Sequence, residues 1–303
     1  MAPHAPSRGF LSVSPMKPSK KQFLEAIAKI ERFSPAPRVL SQATRLLQNP
    51  DSDLDDIVKV IRSDSGLTGD ILRGANSAFY SLGEKVPSLE RALQKIGFGE
   101  CMRLLKLSVA HSMSKRDLGC YGIDSEGFWA ECLFNGLFME VVTRETQCYD
   151  PDTAHTTGLL RYIGRLAINQ CLVDFGIGLF PDGKSSIQEW EIENAGFNQT
   201  EAAGHLLRAW RFPDDICNAI QWQDDVEKAP TKDALLLSAN FVRSVLPPNL
   251  SPAWASSVAG TEEVEIPDSE FVRGMNISPD LVKGWLGLAR EQFVEINGKI
   301  YGK

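Results

Sequence analysis

The sequence predicts an all-α protein, and three of its features lead to this fold class. Apolar residues recur with the spacing of one helix face along most of the chain, as at Leu54, Ile57 and Ile61. Residues that cap helix N-termini stand ahead of many of these segments. Sustained alternation of apolar and polar residues, which would predict a half-buried strand, is not found, and neither is an Asn-Gly hairpin turn.

The composition is that of a globular protein with enough apolar residues for a large core. Of the 303 residues, 43% are hydrophobic and 23% are charged, which excludes wholesale disorder and a small disulfide-stapled fold. The formal net charge of −7 argues against binding of nucleic-acid phosphates over an extended surface. No apolar run approaches the ~18 residues that a membrane span requires. We therefore expect neither a nucleic-acid partner nor a membrane.

Residues that cap or terminate helices predict where each helix begins and ends along the chain. A capping residue precedes three consecutive helices of the N-terminal part: one within residues 51–53, then Asp64 or Ser65, then Ser88. The segment 153–175 is apolar on most of its sides, so it is expected to be a central helix. In full, the predicted helices are 20–32, 37–47, 54–61, 65–78, 89–96, 101–113, 125–146, 153–175, 185–195, 199–210, 213–222, 232–245 and 279–297.

Both ends of the chain depart from this regular order. Residues 1–19 are rich in Pro, Ser and Lys and are expected to form a disordered lead-in. Residues 247–303 begin with a loop rich in Pro and Ser, after which Ser278 caps a last helix. Four apolar residues of that helix are expected to pack it on the body: Leu281, Trp285, Leu288 and Phe293.

The motifs of common catalytic and cofactor sites are missing from the sequence. It contains no phosphate-binding P-loop, no HExxH zinc motif and no GxSxG nucleophile turn. Glu201 and His205 have the spacing of half a metal site, but no third ligand is evident and an ordinary helix pair is preferred. The six cysteines form no CxxC pair, which is typical of reduced thiols in a cytoplasmic protein. We predict no cofactor.

A series of short segments carries a family resemblance over about residues 22–245. The most specific segment is 64–80, which starts at Asp64 and contains Asn76-Ser77-Ala78. The other matching segments are 35–40, 88–97, 128–129, 158–164 and 204–213. Together they resemble the HDOD family, the output-domain relatives of the HD metal-dependent phosphohydrolases.

The resemblance implies an HD-like helical bundle preceded by an N-terminal helical subdomain. It divides the chain into the lead-in 1–19, an N-terminal helical half 20–115, an HD-like half 116–246, and a loop with a C-terminal helix 247–303. Asp64, Asn76 and Ser77 are its signature residues. At a helix end an Asn can adopt the left-handed conformation or cap a neighbouring segment, and a Ser can bond the turn. A structural role for Asn76 and Ser77 is therefore preferred to ligand contact.

The sequence departs from the HD hydrolases at the residues that hold their metal. Those enzymes use histidines and carboxylates, including an adjacent His-Asp pair, because imidazole and carboxylate bind divalent cations and leave room for an activated water. The resemblance aligns Arg161 and Tyr162 with the His-Asp pair. A guanidinium has no lone pair to donate and carries a fixed positive charge. The aligned positions, called here the relic metal site, are Glu131, Arg161, Tyr162, Gln223, Asp224 and Asn240.

The resemblance leads to a physical hypothesis about this relic metal site. The Arg161 guanidinium would fill the vacated metal position and pair with the Glu131 carboxylate, and Tyr162 and Asn240 would complete the polar network. The alternative is that Glu131 and Arg161 are two independent surface charges, since both residue types are usually exposed.

The function expected from these observations is that of a non-catalytic bacterial signalling module. Such a module would act by binding a signalling protein or a small ligand, whose identity the sequence does not give. One alternative is a divergent metal-dependent phosphohydrolase of nucleotides or cyclic dinucleotides, which the lost ligands argue against. Another is a sensor that retains the old cleft for an anion or another small molecule, with Arg161 holding a phosphate or carboxylate.

Overall fold

A computed structural model describes the protein over residues 18–31, 52–77, 84–111, 118–123, 125–177, 185–246 and 265–301, together with isolated positions between 33 and 49 and at 80 and 181. Several predictions concern residues outside these ranges. They are most of the lead-in 1–19, the segment 35–38, residues 78–79 of the segment 64–80, and the loop 247–264.

The structure is built from α-helices, with no strand in the part of the chain that it describes, which confirms the predicted fold class. Two short 3-10 turns, Gly119–Tyr121 and Val226–Lys228, lie between helices. The described helices are α1 Lys20–Ala28, α2 Leu54–Arg62, α3 Ser65–Ala75, α4 Leu89–Ile96, α5 Phe98–His111, α6 Ser125–Thr146, α7 Pro151–Leu160, α8 Ile163–Asp174, α9 Ile187–Ala195, α10 Gln199–Ala209, α11 Asp214–Trp222, α12 Ala234–Val245, α13 Glu270–Gly274 and α14 Pro279–Tyr301.

The caps expected from the sequence begin the N-terminal helices. The side chains of Asp53, Asp64 and Ser88 each accept a hydrogen bond from a backbone N–H in the first turn of α2, α3 and α4. These bonds satisfy donors that a helix N-terminus leaves free. Buried apolar residues from residues 20–115 and from 116–246 then join in one continuous core. Phe23 of α1, for example, has its ring centroid 5.0 Å from that of Phe175.

The prediction of one central helix over residues 153–175 is wrong in one respect, because the structure divides this segment into α7 and α8 at Arg161 and Tyr162. Tyr162 leaves the helical conformation with φ −108° and ψ 12°. The break frees backbone carbonyl groups, and one of them, at Arg161, accepts a hydrogen bond of 3.3 Å from the side-chain amide of Gln223. Tertiary contacts therefore stabilise a bend that the helical pattern of the sequence does not show.

Two glycines allow the helices around this bend to touch backbone to backbone. A Cβ added at Gly158 would lie 2.5 Å from the carbonyl oxygen of Asn135, and one added at Gly164 would overlap the carbonyl oxygen of Gln199. Any larger residue at either position would force the helices apart. The two close approaches bring Asn135 of α6 and Gln199 of α10 beside the bend.

A cluster of charged side chains joins the N-terminal helices to the HD-like half. Arg62 at the end of α2 lies 2.8 Å from Glu140, 3.1 Å from Glu90 and 3.2 Å from Asp152. His155 Nδ1 lies 3.0 Å from Glu140 Oε2. Burial opposes the ionisation of Glu140, but the hydrogen bond and charge of His155 and the charge of Arg62 outweigh it and lower the pKa of Glu140 to about 2.

The C-terminal helix α14 packs on the body of the protein, as the sequence predicts, and contacts α6, but two of the four expected residues face outward. Trp285 and Phe293 are buried as expected, and the Phe293 ring lies 6.1 Å from that of Trp129. Leu281 and Leu288, which were expected to pack inward, are instead 47% and 44% exposed. They lie one position before the buried row, so the helix rotation that buries Trp285 turns them outward.

No helix in the described ranges combines the length and the apolar character that a bilayer crossing demands.

Candidate functional site

Arg161 lies at the centre of the relic metal site, and its guanidinium is bound by neutral amides. Its side chain is 3% exposed. Nε donates a hydrogen bond of 3.0 Å to Oε1 of Gln223, and Nη1 donates one to Oδ1 of Asn135. Gln223 and Asn135 are each 1% exposed. Burial lowers the pKa of Arg161, yet a guanidinium keeps its proton in proteins, so a buried positive charge fills this position.

Glu131 supplies a countercharge to the guanidinium of Arg161. Its side chain is 2% exposed, so the alternative of two independent surface charges is wrong for both residues. The Asn135 side-chain amide donates a hydrogen bond of 2.7 Å to the backbone carbonyl of Glu131. The Glu131 charge also acts to raise the pKa values of Arg161 and Arg165. The charge of Glu131 therefore favours the charged form of Arg161, and the side-chain amides of Asn135 and Gln223 accept hydrogen bonds from its guanidinium.

Tyr162 contributes its ring, which lies against two guanidinium groups. The ring centroid is 5.0 Å from the central carbon of Arg161 and 4.4 Å from that of Arg165. Such cation–π contacts stabilise a cation most when they are desolvated, and all three side chains are at most 3% exposed. The Tyr162 hydroxyl has no hydrogen-bond partner in the structure.

Arg165 is a second buried arginine that the sequence reasoning missed. It lies in the first turn of α8, four residues after Arg161, and its Nε is 3.9 Å from Oε1 of Glu191. Its Nε and Nη1 atoms make no hydrogen bond. Burial alone would lower the pKa of Arg165, but Tyr162, Glu131 and Glu191 outweigh burial and raise it. The signal that could have identified it is a charged residue among the apolar residues that begin α8, since charged residues are rarely buried unless they are paired.

Glu191 of α9 is another buried charge that the sequence did not point to. It accepts hydrogen bonds of 3.0 Å from the Tyr121 hydroxyl and 2.7 Å from the Gln199 backbone N–H. The side chain is 1% exposed. Burial raises the pKa of Glu191 to about 6, although Arg165 and these two donors act in the opposite direction.

The remaining relic positions are engaged in structural contacts. The Asn240 side chain donates a hydrogen bond of 2.7 Å to the backbone carbonyl of Gln223. Asp224 forms an ion pair with Arg243 in which Arg243 Nε lies 2.8 Å from Oδ1. The structure therefore brings all six predicted positions to one region. Hydrogen bonds link Arg161, Gln223 and Asn240, whereas the other three positions join through charge or ring contact.

A cavity of about 260 Å³ opens beside these residues. The N-termini of two helices, α9 and α10, border it, so the positive ends of two helix dipoles lie beside it. The cavity is lined by Tyr162, Arg165, Ser186, Ile187, Gln188, Glu191, Asn198, Gln199, Asp224 and Arg243.

The signature residues lie away from this cavity and have structural partners. Asp64 caps α3. The Asn76 side chain exchanges two hydrogen bonds with the backbone of Val86, donating one of 3.0 Å and accepting one of 2.7 Å. Its φ of −92° excludes the left-handed conformation, so of the two structural roles expected it has the capping one. The Ser77 backbone N–H bonds the Gly74 carbonyl at 3.0 Å.

The relic metal site does not fit a divalent cation. Arg161 would repel a metal ion and has no lone pair to donate, and Arg243 already pairs with Asp224. Across the described ranges, no three His, Cys, Asp or Glu side chains are grouped so as to hold a metal ion. The Glu201–His205 pair is no exception, because Lys20 Nζ lies 2.6 Å from the Glu201 carboxylate.

Comparisons with known proteins bear on the family and the fold. A sequence profile of the HDOD domain matches residues 34–226. A protein of Treponema pallidum, described as uncharacterized, is 23% identical over 215 residues, which cover 69% of this chain and 41% of that protein. The chain thus spans about two fifths of the length of this curated relative.

Two solved structures share the fold at identities too low to carry function. A virulence factor of Campylobacter jejuni superposes with a TM-score of 0.65 at 18% identity, covering 90% of this chain and 99% of its own. The MmoQ response regulator of Methylococcus capsulatus superposes with a TM-score of 0.59 at 22% identity, covering 85% and 99%. With a profile match over most of its length and the predicted helical bundle in place, this chain belongs to the HDOD family.

Proposed function

We propose that this HDOD protein is a non-catalytic regulatory module of bacterial signalling, which acts by binding a protein or a small ligand. The observation that carries the proposal is the buried guanidinium of Arg161, held by Asn135 and Gln223 at the position that aligns with a metal ligand of the HD hydrolases. A hydrolase of this type needs a metal-activated water, and the relic site has a fixed cation in its place.

The neighbouring residues support the same conclusion. The amide groups of Gln223 and Asn240 hold the bend and the adjacent backbone through hydrogen bonds. Asp224, the carboxylate that stands at an aligned ligand position, is neutralised by Arg243. Three of the aligned side chains, Gln223, Asp224 and Asn240, therefore have structural contacts that a metal would disturb.

Two further observations support the cellular compartment and the signalling role in this proposal. All six cysteines are free thiols, which favours a reducing, cytoplasmic compartment. The fold is shared with a protein named as a response regulator, and this supports signalling by analogy of fold alone.

Metal analysis combined with a hydrolysis assay tests the proposal. The full chain is produced in medium supplemented with Mn, Fe, Ni and Zn and purified without chelators, and its metal content is measured by mass spectrometry. Hydrolysis of nucleotides and cyclic dinucleotides is assayed with the same metals added. We expect substoichiometric metal and no hydrolysis above a heat-treated control.

The divergent phosphohydrolase is the competing function, and the same experiment separates the two. Stoichiometric metal that is lost in the Glu131→Gln variant, together with hydrolysis, would establish the phosphohydrolase and refute the proposal. The Glu193→Gln variant, which changes an exposed carboxylate of α9, is the matched control for nonspecific metal binding.

A further inference from the structure

We infer that the cavity beside Arg165 is a binding site for a small oxyanion, either a phosphate or a carboxylate. The inference deepens the proposed function, on which it rests, by assigning the small ligand to a particular place and chemical class. The site is centred on Arg165, not on Arg161, whose Nε and Nη1 are already used by Gln223 and Asn135.

Three of the side chains that line the cavity have polar atoms without a hydrogen-bond partner. They are Nε and Nη1 of Arg165, the hydroxyl of Tyr162, and Oε1 of Gln199. The three side chains are 3%, 1% and 7% exposed, respectively. Buried polar groups in native proteins are nearly always paired, and a cluster of unpaired ones calls for an explanation. A ligand in the adjacent cavity supplies the missing partners.

The charges around the cavity favour an anion. Arg165 is separated from Glu191 by 3.9 Å, which is too long for a hydrogen bond, so its guanidinium retains donor capacity. Glu191 and Asp224 also line the cavity, but both are engaged. Glu191 accepts bonds from Tyr121 and Gln199, and Asp224 pairs with Arg243. An oxyanion at Arg165 would form charge-assisted hydrogen bonds with a guanidinium that is only 3% exposed.

Two helix N-termini add to this preference. The first residues of α9, Ile187 and Gln188, line one side of the cavity, and Asn198 and Gln199 at the start of α10 line another. Helix N-termini bind anions through free N–H groups and the helix dipole. Gly164 permits the close approach of α8 and α10 that brings Arg165 and the α10 N-terminus to the same cavity.

The size and donor pattern restrict the ligand further. Pockets for drug-sized molecules occupy roughly 300–1,000 Å³, so a cavity of about 260 Å³ suits phosphate or a small carboxylic acid rather than a dinucleotide. The unpaired Oε1 of Gln199 requires a donor, which favours a ligand that carries a hydroxyl or amino group in addition to its oxyanion.

Isothermal titration calorimetry on the full chain in EDTA tests the inference, with inorganic phosphate and succinate as separate probes. For whichever probe binds the wild type, Arg165→Met should raise the dissociation constant by about tenfold or more, because it removes a charged hydrogen-bond donor. Tyr162→Phe removes only an unpaired hydroxyl, so it should fold normally and weaken binding by about threefold or more. Arg208→Met is the matched control, since Arg208 is exposed and bonds Gln221 outside the cavity.

The outcomes distinguish this inference from the proposed function. Binding of phosphate alone identifies a phosphoryl ligand, and binding of succinate alone identifies a carboxylate. Binding of neither probe to the folded wild type overturns the inference and leaves the proposed function standing. Equal binding by wild type, Arg165→Met and Tyr162→Phe overturns it as well. Binding that appears only when a divalent metal replaces EDTA overturns the inference and the proposed function together.

Discussion

The buried carboxylate of Glu191 should make the protein less stable as the pH rises from acidic to neutral. Glu191 has a pKa of about 6 in the folded protein and an ordinary value of 4.5, because burial disfavours its charged form. Between these two values the folded state holds more of the proton than the unfolded state does. Stability therefore falls as the pH rises through this window.

The magnitude follows from the two pKa values. The difference between 4.5 and about 6 corresponds to about 2 kcal/mol of free energy of unfolding, present in full below the lower value and lost above the higher one. Glu191→Gln removes the titration while retaining the shape of the side chain and one acceptor for Tyr121 or Gln199. The difference in free energy of unfolding, wild type minus variant, should thus decrease by about 2 kcal/mol between about pH 4 and pH 7.

Urea denaturation followed by far-ultraviolet circular dichroism at a series of pH values measures this difference. The same substitution at Glu193, an exposed carboxylate on the same helix, controls for the general effect of removing a negative charge. A difference that stays constant or increases with pH would show that Glu191 is not destabilised by burial. Burial would then not raise the pKa of Glu191 above its ordinary value.

Three further predictions test other parts of the structure, each by urea denaturation. Asn76→Ala leaves the buried N–H and carbonyl of Val86 unpaired and should lower the free energy of unfolding by about 2–4 kcal/mol. A loss below about 1 kcal/mol would contradict the two hydrogen bonds between Asn76 and Val86. Gly164→Ala should cost at least about 2 kcal/mol, because the new Cβ overlaps a backbone carbonyl. Gly284→Ala, with no atom nearby, should instead stabilise by up to about 1 kcal/mol, and equal effects at the two glycines would refute the close approach. Glu140→Gln should abolish a stability loss of about 3 kcal/mol between pH 4.5 and pH 2, since the folded pKa of about 2 lies below the ordinary value and the stabilisation disappears as the pH falls. An unchanged acid profile would show that Glu140 is not held by His155 and Arg62.

The sequence predicts helices well where local chemistry decides them. Asp64 and Ser88 cap helices because a short polar side chain reaches free N–H groups within its own turn. The long helix α6 has the predicted bounds, Ser125–Thr146, because its apolar pattern is uninterrupted. The family resemblance added the positions of the relic metal site, which no local pattern would have grouped.

The sequence does not predict features that depend on contacts between distant segments. The bend at Arg161 and Tyr162 contains no proline or glycine, and it is held by Gln223, about sixty residues away in sequence. The hydrogen bonds of Arg161 depend on Asn135 and Gln223 meeting in three dimensions. Arg165 and Glu191 were missed because an alignment to metal ligands directs attention to the aligned positions and not to the charges that surround them.

The identity of the cation in the relic metal site is the central claim, and anomalous diffraction measures it most directly. Crystals of the full chain grown with Mn²⁺ would be measured at a wavelength at which manganese scatters anomalously. We expect no anomalous peak beside Glu131 or Asp224, and density for the Arg161 guanidinium between Asn135 and Gln223. A peak coordinated by Glu131 or Asp224, with Arg161 turned away, would contradict the account.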